Sequence, residues 1–158
     1  MSNKDNPYGK AADAYSSTAA ATDQRALEGK ILQKAAQKLE TLCSRLQNGE
    51  KIPLEEIGDT FEYNRKIWTL FVSETMNDAH GLPQGIKNNI ASLGIFVFKR
   101  SHEALIDPTP EKIKPLIDIN RNIASGLLKQ ATAPLPPVPS TLSSKQKEHA
   151  PQPTDSMA

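Results

Sequence analysis

The sequence predicts an all-α fold, a small antiparallel bundle of about four helices with disordered tails at both ends. Three observations carry this. Four stretches place apolar residues three and four positions apart, the period of one helical face. The stretches are joined by connections of about five to eight residues, which favour antiparallel neighbours. The one segment that reads as a strand, Ile95-Phe96-Val97-Phe98, has no second strand candidate to pair with, so helix is expected there too.

The first helix is expected from about Asp23 to Gln47, with Thr22 as N-cap. Leu27, Ile31, Ala35, Leu39, Leu42 and Leu46 form its stripe, and Asn48-Gly49 is a C-terminal stop. The second runs from about Leu54 to Met76, with Ile57, Phe61, Asn64, Trp68, Phe71 and Thr75 on one face. The third starts near Pro83, a residue suited to a first helical position, and runs to about Leu105. Its stripe is Ile86, Ile90, Leu93 and Val97, and apolar residues wrap around its axis, so it is expected at the centre. The fourth is entered through Thr109-Pro110-Glu111, and Pro115 is expected to kink or restart it. Ile113, Ile117, Asn120, Ile123 or Ala124, and Leu127 form its stripe.

Composition sets the ends apart. Of 158 residues only 37% are hydrophobic, low for a chain packed throughout. Pro134, Pro136, Pro137, Pro139, Pro151 and Pro153 crowd the C-terminus among Ser, Thr, Lys, Gln and Ala, so 132–158 is expected to be a disordered tail. Within it Leu135-Pro136-Pro137-Val138-Pro139 could serve as a polyproline ligand, although a bland extended tail is the simpler reading. Residues 1–21 are expected to be a loose segment, although Tyr8, Ala11, Ala12, Tyr15 and Ala19 make one thin helical face that could order against a partner. The helical domain is then 22–131.

Charge and chemistry exclude several functions. With 19 Lys+Arg against 18 Asp+Glu, the net charge of +1 argues against nucleic-acid binding. Lys30, Lys34, Lys38 and Arg45 line the first helix, but a solvated face explains them. No signal peptide and no membrane span is visible, which points to a cytoplasmic protein. His80, His102 and His149 make no metal-ligand spacing. Cys43, the single cysteine, sits beside the first stripe as a small buried hydrophobe. The glycines form no phosphate-cradling loop, so neither catalysis nor a metal or other cofactor is expected.

Two asparagines interrupt apolar stripes. Asn64 and Asn120 are embedded in the similar strings Glu62-Tyr63-Asn64-Arg65-Lys66-Ile67 and Asp118-Ile119-Asn120-Arg121-Asn122-Ile123. In each, the acid lies three residues before the arginine, close enough to pair. The asparagines either hydrogen-bond each other or a backbone group inside the bundle, or they contact a partner. Trp68 is open in the same way: core with Phe61, Phe71, Phe96 and Phe98, or a partly exposed anchor for a guest helix.

Taken in order, Asn64-Arg65-Lys66-Ile67-Trp68, Leu82-Pro83, Ser92-Leu93 with Phe96-Val97, Pro115-Leu116-Ile117-Asp118-Ile119-Asn120-Arg121 and Gly126-Leu127 resemble the FlaF family, flagellar biosynthesis proteins of alphaproteobacteria. The N-terminal Tyr8, Ala11, Ala12 segment is also similar, and the resemblance spans about residues 6–128. It implies a protein that binds flagellin and promotes flagellin synthesis and export, alongside an FlbT-type regulator. The alternative is a post-transcriptional regulator touching flagellin mRNA, supported only by the lysine row; a purely structural flagellar part is a third reading. The partner face is expected where the second and fourth helices meet. It comprises Asn64, Arg65, Trp68 and Phe71 on one side and Pro115, Leu116, Asp118, Asn120 and Arg121 on the other, because a self-sufficient core avoids polar residues in its stripes.

Overall fold

A computed structural model describes residues 7–133. Four helices make up the bundle: α1 (Pro7–Gln47), α2 (Leu54–Met76), α3 (Gln84–Ile106) and α4 (Pro110–Thr132), with one 3-10 turn at Asp78–His80. No strand occurs among the described residues, and Ile95–Phe98 is helical. The expected tail of 132–158 lies outside the described residues from position 134 onward, while Thr132 itself still belongs to α4.

The helices pack in a ring, α1 on α2, α2 on α3, α3 on α4 and α4 back on α1, with the α1–α4 contact the most extensive. Each neighbour is antiparallel, as the pairs Arg45–Glu56 and Lys38–Tyr63 show for α1 and α2. The diagonals, α1 to α3 and α2 to α4, have no close backbone approach. The second and fourth helices therefore do not meet side by side as expected. They stand at opposite corners and reach each other only through side chains.

Small residues let the neighbours close up. A Cβ on Gly29 of α1 would lie 2.8 Å from Leu128 Cγ and 3.2 Å from the Ala124 carbonyl of α4. A Cβ on Gly94 of α3 would lie 2.6 Å from Val72 Cγ2 of α2. The core between them holds Leu32, Leu39, Trp68, Val97, Ile113 and Leu116, each under 2% exposed.

Three expectations are corrected. The first helix does not start at Thr22. α1 begins at Pro7 and passes through Thr22, whose hydroxyl donates to the Thr18 carbonyl inside the helix. The alanines at 11, 12, 14, 19, 20 and 21 are the best helix formers, and once a packed helix exists, adding residues at its end escapes the cost of nucleation. Nor is the third helix central. Its apolar wrap leaves Ile95 and Ile106 well exposed, and its buried face is Lys87, Ile90, Gly94, Val97, Ser101 and Ala104, narrow and partly polar. Pro115 does not divide α4, which runs unbroken from Pro110 to Thr132 with the ring in its second turn.

Helix ends follow local chemistry. Gln47 is the last residue of α1, and Gly49 takes φ 72°, with its N–H donating to the Leu46 carbonyl at 3.0 Å. The extended Pro83 is the N-cap of α3, one residue before the position expected for it, and its carbonyl accepts from Ile86 and Lys87. Lys87, 6% exposed, sends its Nζ to the Asn77 carbonyl at 3.1 Å, with Asp78 Oδ1 at 3.8 Å. It ties the α2–α3 connection to the start of α3.

Candidate functional site

The two stripe asparagines and the tryptophan form one hydrogen-bonded string across the α2–α4 diagonal. Trp68 Nε1–H donates to Asn120 Oδ1 at 2.7 Å, and Asn120 Nδ2 donates to Asn64 Oδ1, also at 2.7 Å. All three side chains are 0% exposed. Asn64 and Trp68 stand one helical turn apart on α2, so a single amide on α4 can bridge both. One donor is left over, since Asn64 Nδ2 is buried without a partner.

This arrangement resolves the alternatives left by the sequence. The asparagines bond each other, and Trp68 is core. The open-anchor reading of Trp68 is corrected, because the only polar atom of the indole is consumed inside the bundle. The remaining expected partner residues divide. Leu116 is fully buried, and Phe71 is 7% exposed, with its ring edge-on to Trp68 at 5.7 Å and 86°. Arg65, Asp118 and Arg121 are exposed and Pro115 partly so. The expected acid–arginine pairs within each string do not form. Glu62 pairs with Lys66 at 2.9 Å, and Arg121 reaches across to Glu40 of α1 at 2.5 Å. In the first string Lys66 takes the place of Arg65 as partner of Glu62, and in the second Glu40 takes the place of Asp118 as partner of Arg121. The Lys66 hydrogen bond holds the Glu62 carboxyl below its ordinary range.

The surface feature that stripe counting missed lies between α1 and α2. A groove of about 460 Å³ is floored by Ile31, Ile67 and Phe71, with Leu27 and Leu70 at its mouth and Asp23, Glu28 and Glu74 around it. Leu27 is 58% and Leu70 61% exposed, large for leucines on facing helices. Leu27 heads the expected first stripe, but steps of four drift around the axis, and by that turn the stripe has rotated off the core. Leu70 belongs to no stripe. Phe71 connects the two features, with one side against Trp68 and the other in the groove.

The lysine row is partly engaged. Lys38 Nζ lies 5.1 Å from the centroid of the Tyr63 ring. Arg45 pairs with both Glu50 and Glu56, and these hydrogen bonds raise its already high pKa. Among the described residues no three His, Cys, Asp or Glu side chains are grouped to hold a metal ion. No helix among them is long and apolar enough to cross a membrane.

The family described as "Flagellar protein FlaF" matches residues 11–127, most of the chain and all of the string and groove residues. No curated protein and no solved structure matches.

Proposed function

Because the chain belongs to the FlaF family of flagellar proteins, we propose that it binds flagellin and promotes flagellin synthesis and export as a cytoplasmic chaperone and activator, working with an FlbT-type regulator. The observation that carries this reading is the family match, which gives the flagellar role. The bundle is compatible with the finer role. Flagellin subunits outside the filament carry uncovered amphipathic segments, and a helix-in-groove contact covers such a segment without catalysis or a cofactor. The open apolar groove between α1 and α2 is a surface of that kind.

Direct contact with flagellin mRNA is the second reading, and the state of the lysine row speaks against it. Arg45 is paired with two glutamates and Lys38 lies over the Tyr63 ring, so two of the four cations in the row are already engaged within the bundle. The test is isothermal titration of purified monomeric flagellin, and separately of its mRNA leader, into the protein over a salt series. The flagellin-binding reading expects heat with flagellin that changes little with salt. Heat only with RNA, falling steeply as salt rises, would overturn it.

A further inference from the structure

We propose that the α1–α2 groove is a docking site for a basic amphipathic helix, one with an apolar stripe and Lys or Arg on the flanks of that stripe. The site goes beyond the flagellin reading and does not depend on which protein supplies the helix.

The argument starts from Leu27 and Leu70. They line one groove from neighbouring helices, and both leave more than half of their surface in water. Beneath them Ile31, Ile67 and Phe71 give an apolar floor. The groove wall on α1 from Asp23 to Leu32 is about 14 Å long, room for two to three turns of a guest helix. Guest side chains three and four apart would fill it, the pattern by which grooves of this shape hold a helix.

Charge narrows the guest. The groove has three charged lining residues, Asp23, Glu28 and Glu74, and all three are acidic. Glu28 adds a specific feature. One carboxylate oxygen accepts from Gln24 Nε2 at 3.2 Å, while the other, Oε2, is buried with no partner. A carboxylate oxygen shielded from water and unpaired favours an incoming cation, and like-charged guests are disfavoured by the same rim.

Other occupants fit less well. The chain beyond residue 133 carries prolines at 134, 136, 137, 139, 151 and 153, and between them no apolar stripe of helical spacing. A second copy would have to bring an exposed helix with an apolar stripe and basic flanks. The exposed start of α1 carries Lys10 and Asp13 side by side with Tyr8 and Tyr15, a face without net positive charge, and on α3, which exposes Ile95 and Ile106, Arg100 is already paired with Glu103.

The test uses two synthetic helical peptides of about 18 residues, long enough to fill the groove. They share a leucine stripe and differ only in flanking Lys against flanking Glu. Binding to the full chain is read by fluorescence anisotropy of the labelled peptide. The Lys peptide is expected to bind at least about tenfold more tightly than the Glu peptide. Leu70→Lys should weaken it by about tenfold or more, and Asp23→Asn with Glu74→Gln should shrink the preference between peptides several-fold. Leu70 and Asp23 are exposed, and Glu74 is only partly covered and keeps its shape as Gln, so the thermal melts of both variants should match the parent. Leu54→Lys, at an exposed leucine away from the groove, should leave binding unchanged. Equal binding of the two peptides, or full binding by Leu70→Lys, overturns the proposal. So does binding that appears only after residues 134–158 are deleted, which would make that segment the occupant, or a dimer in sedimentation that Leu70→Lys dissolves, which would make it a second copy. Flagellin titration is a separate measurement, so a protein that ignores flagellin yet selects the Lys peptide would leave this site standing.

Discussion

The indole of Trp68 and the amide of Asn120 are joined by a 2.7 Å hydrogen bond between helices whose backbones never come close. The bond fixes more than a pair. Asn120 passes its own N–H on to Asn64, so one residue of α4 holds two of α2, one turn apart. Buried amides are retained where an apolar residue would pack as well, and the known benefit is a unique register. Here the register is that of α2 against α4 across the core.

The string predicts unequal costs for its two asparagines. Asn120→Leu strands both the Trp68 N–H and the Asn64 carbonyl, and should cost about 2–4 kcal/mol. Asn64→Leu strands only one Asn120 N–H, and it removes the Asn64 Nδ2 that already lacks a partner. Its cost should be about 0–2 kcal/mol. Urea unfolding of both variants checks the order; equal losses would mean that the string does not act through its hydrogen bonds.

Trp68→Ala should cost about 3–5 kcal/mol by emptying the largest buried site. Trp68→Phe keeps most of the volume but leaves Asn120 Oδ1 without its donor, at about 1–3 kcal/mol. Native fluorescence should be blue-shifted and should stay put when any partner is added. A red-shifted native spectrum would contradict the burial.

The glycines should divide by what stands over them. Gly58→Ala and Gly126→Ala meet nothing within 4 Å, so the gain in helix propensity should stabilise by up to about 1 kcal/mol each. At Gly94 the new methyl would sit 2.6 Å from a methyl of Val72, a stiff β-branched neighbour. Gly94→Ala should therefore destabilise by about 1–3 kcal/mol despite the better propensity. Thermal melts of the three variants decide it.

Cys43 should set an alkaline limit. Burial pushes its thiol pKa up; nearby Lys114 opposes this, and Glu111 and Glu40 add to it. The fold thus favours the protonated thiol. That preference is fully present below the ordinary thiol range and is lost as pH rises through the raised value. Urea midpoints should fall at alkaline pH more for the parent than for Cys43→Ala. Thiol reagents should react slowly with the native protein and fast in urea, because the side chain is 4% exposed.

How far the sequence could be read depended on which helix was being read. On α2 the expected stripe, Ile57, Phe61, Asn64, Trp68, Phe71 and Thr75, is the buried face residue for residue. There the steps alternate between four and three and hold one azimuth. On α1 three successive steps of four turned Leu27 toward solvent, and period counting alone cannot show where a helix outruns its neighbours. On α3 apolar residues outnumber the buried places, so hydrophobicity pointed to the centre while packing kept only a narrow face containing Lys87 and Ser101. The two asparagines were visible as exceptions, and mutual bonding was one of the readings they allowed. The choice between a lateral and a diagonal relationship of α2 and α4 was not legible, because it depends on the order of helices around the ring. The groove escaped notice for the same reason: it belongs to two helices, Leu27 and Ile31 of one and Ile67, Leu70 and Phe71 of the other, and no single stripe contains it.

The length of α1 separates helix content from stability. From residue 8 to 21 every side chain is exposed except Ala19, which is only partly covered. Some 20 Å of helix therefore buries almost nothing and leans on backbone hydrogen bonds, alanine propensity and local side-chain bonds such as that of Thr18 to the Ala14 carbonyl. On heating, ellipticity should decline in two ways, a gradual slope as this stem frays from its N-terminal end and a sigmoid when the four-helix body unfolds. Amide exchange should show a gradient along α1, nearly unprotected at Tyr8 and reaching the full unfolding free energy around Leu32. Trypsin, cutting first at Lys10 and Arg25, should shorten the stem and remove the slope while the midpoint of the sigmoid changes little.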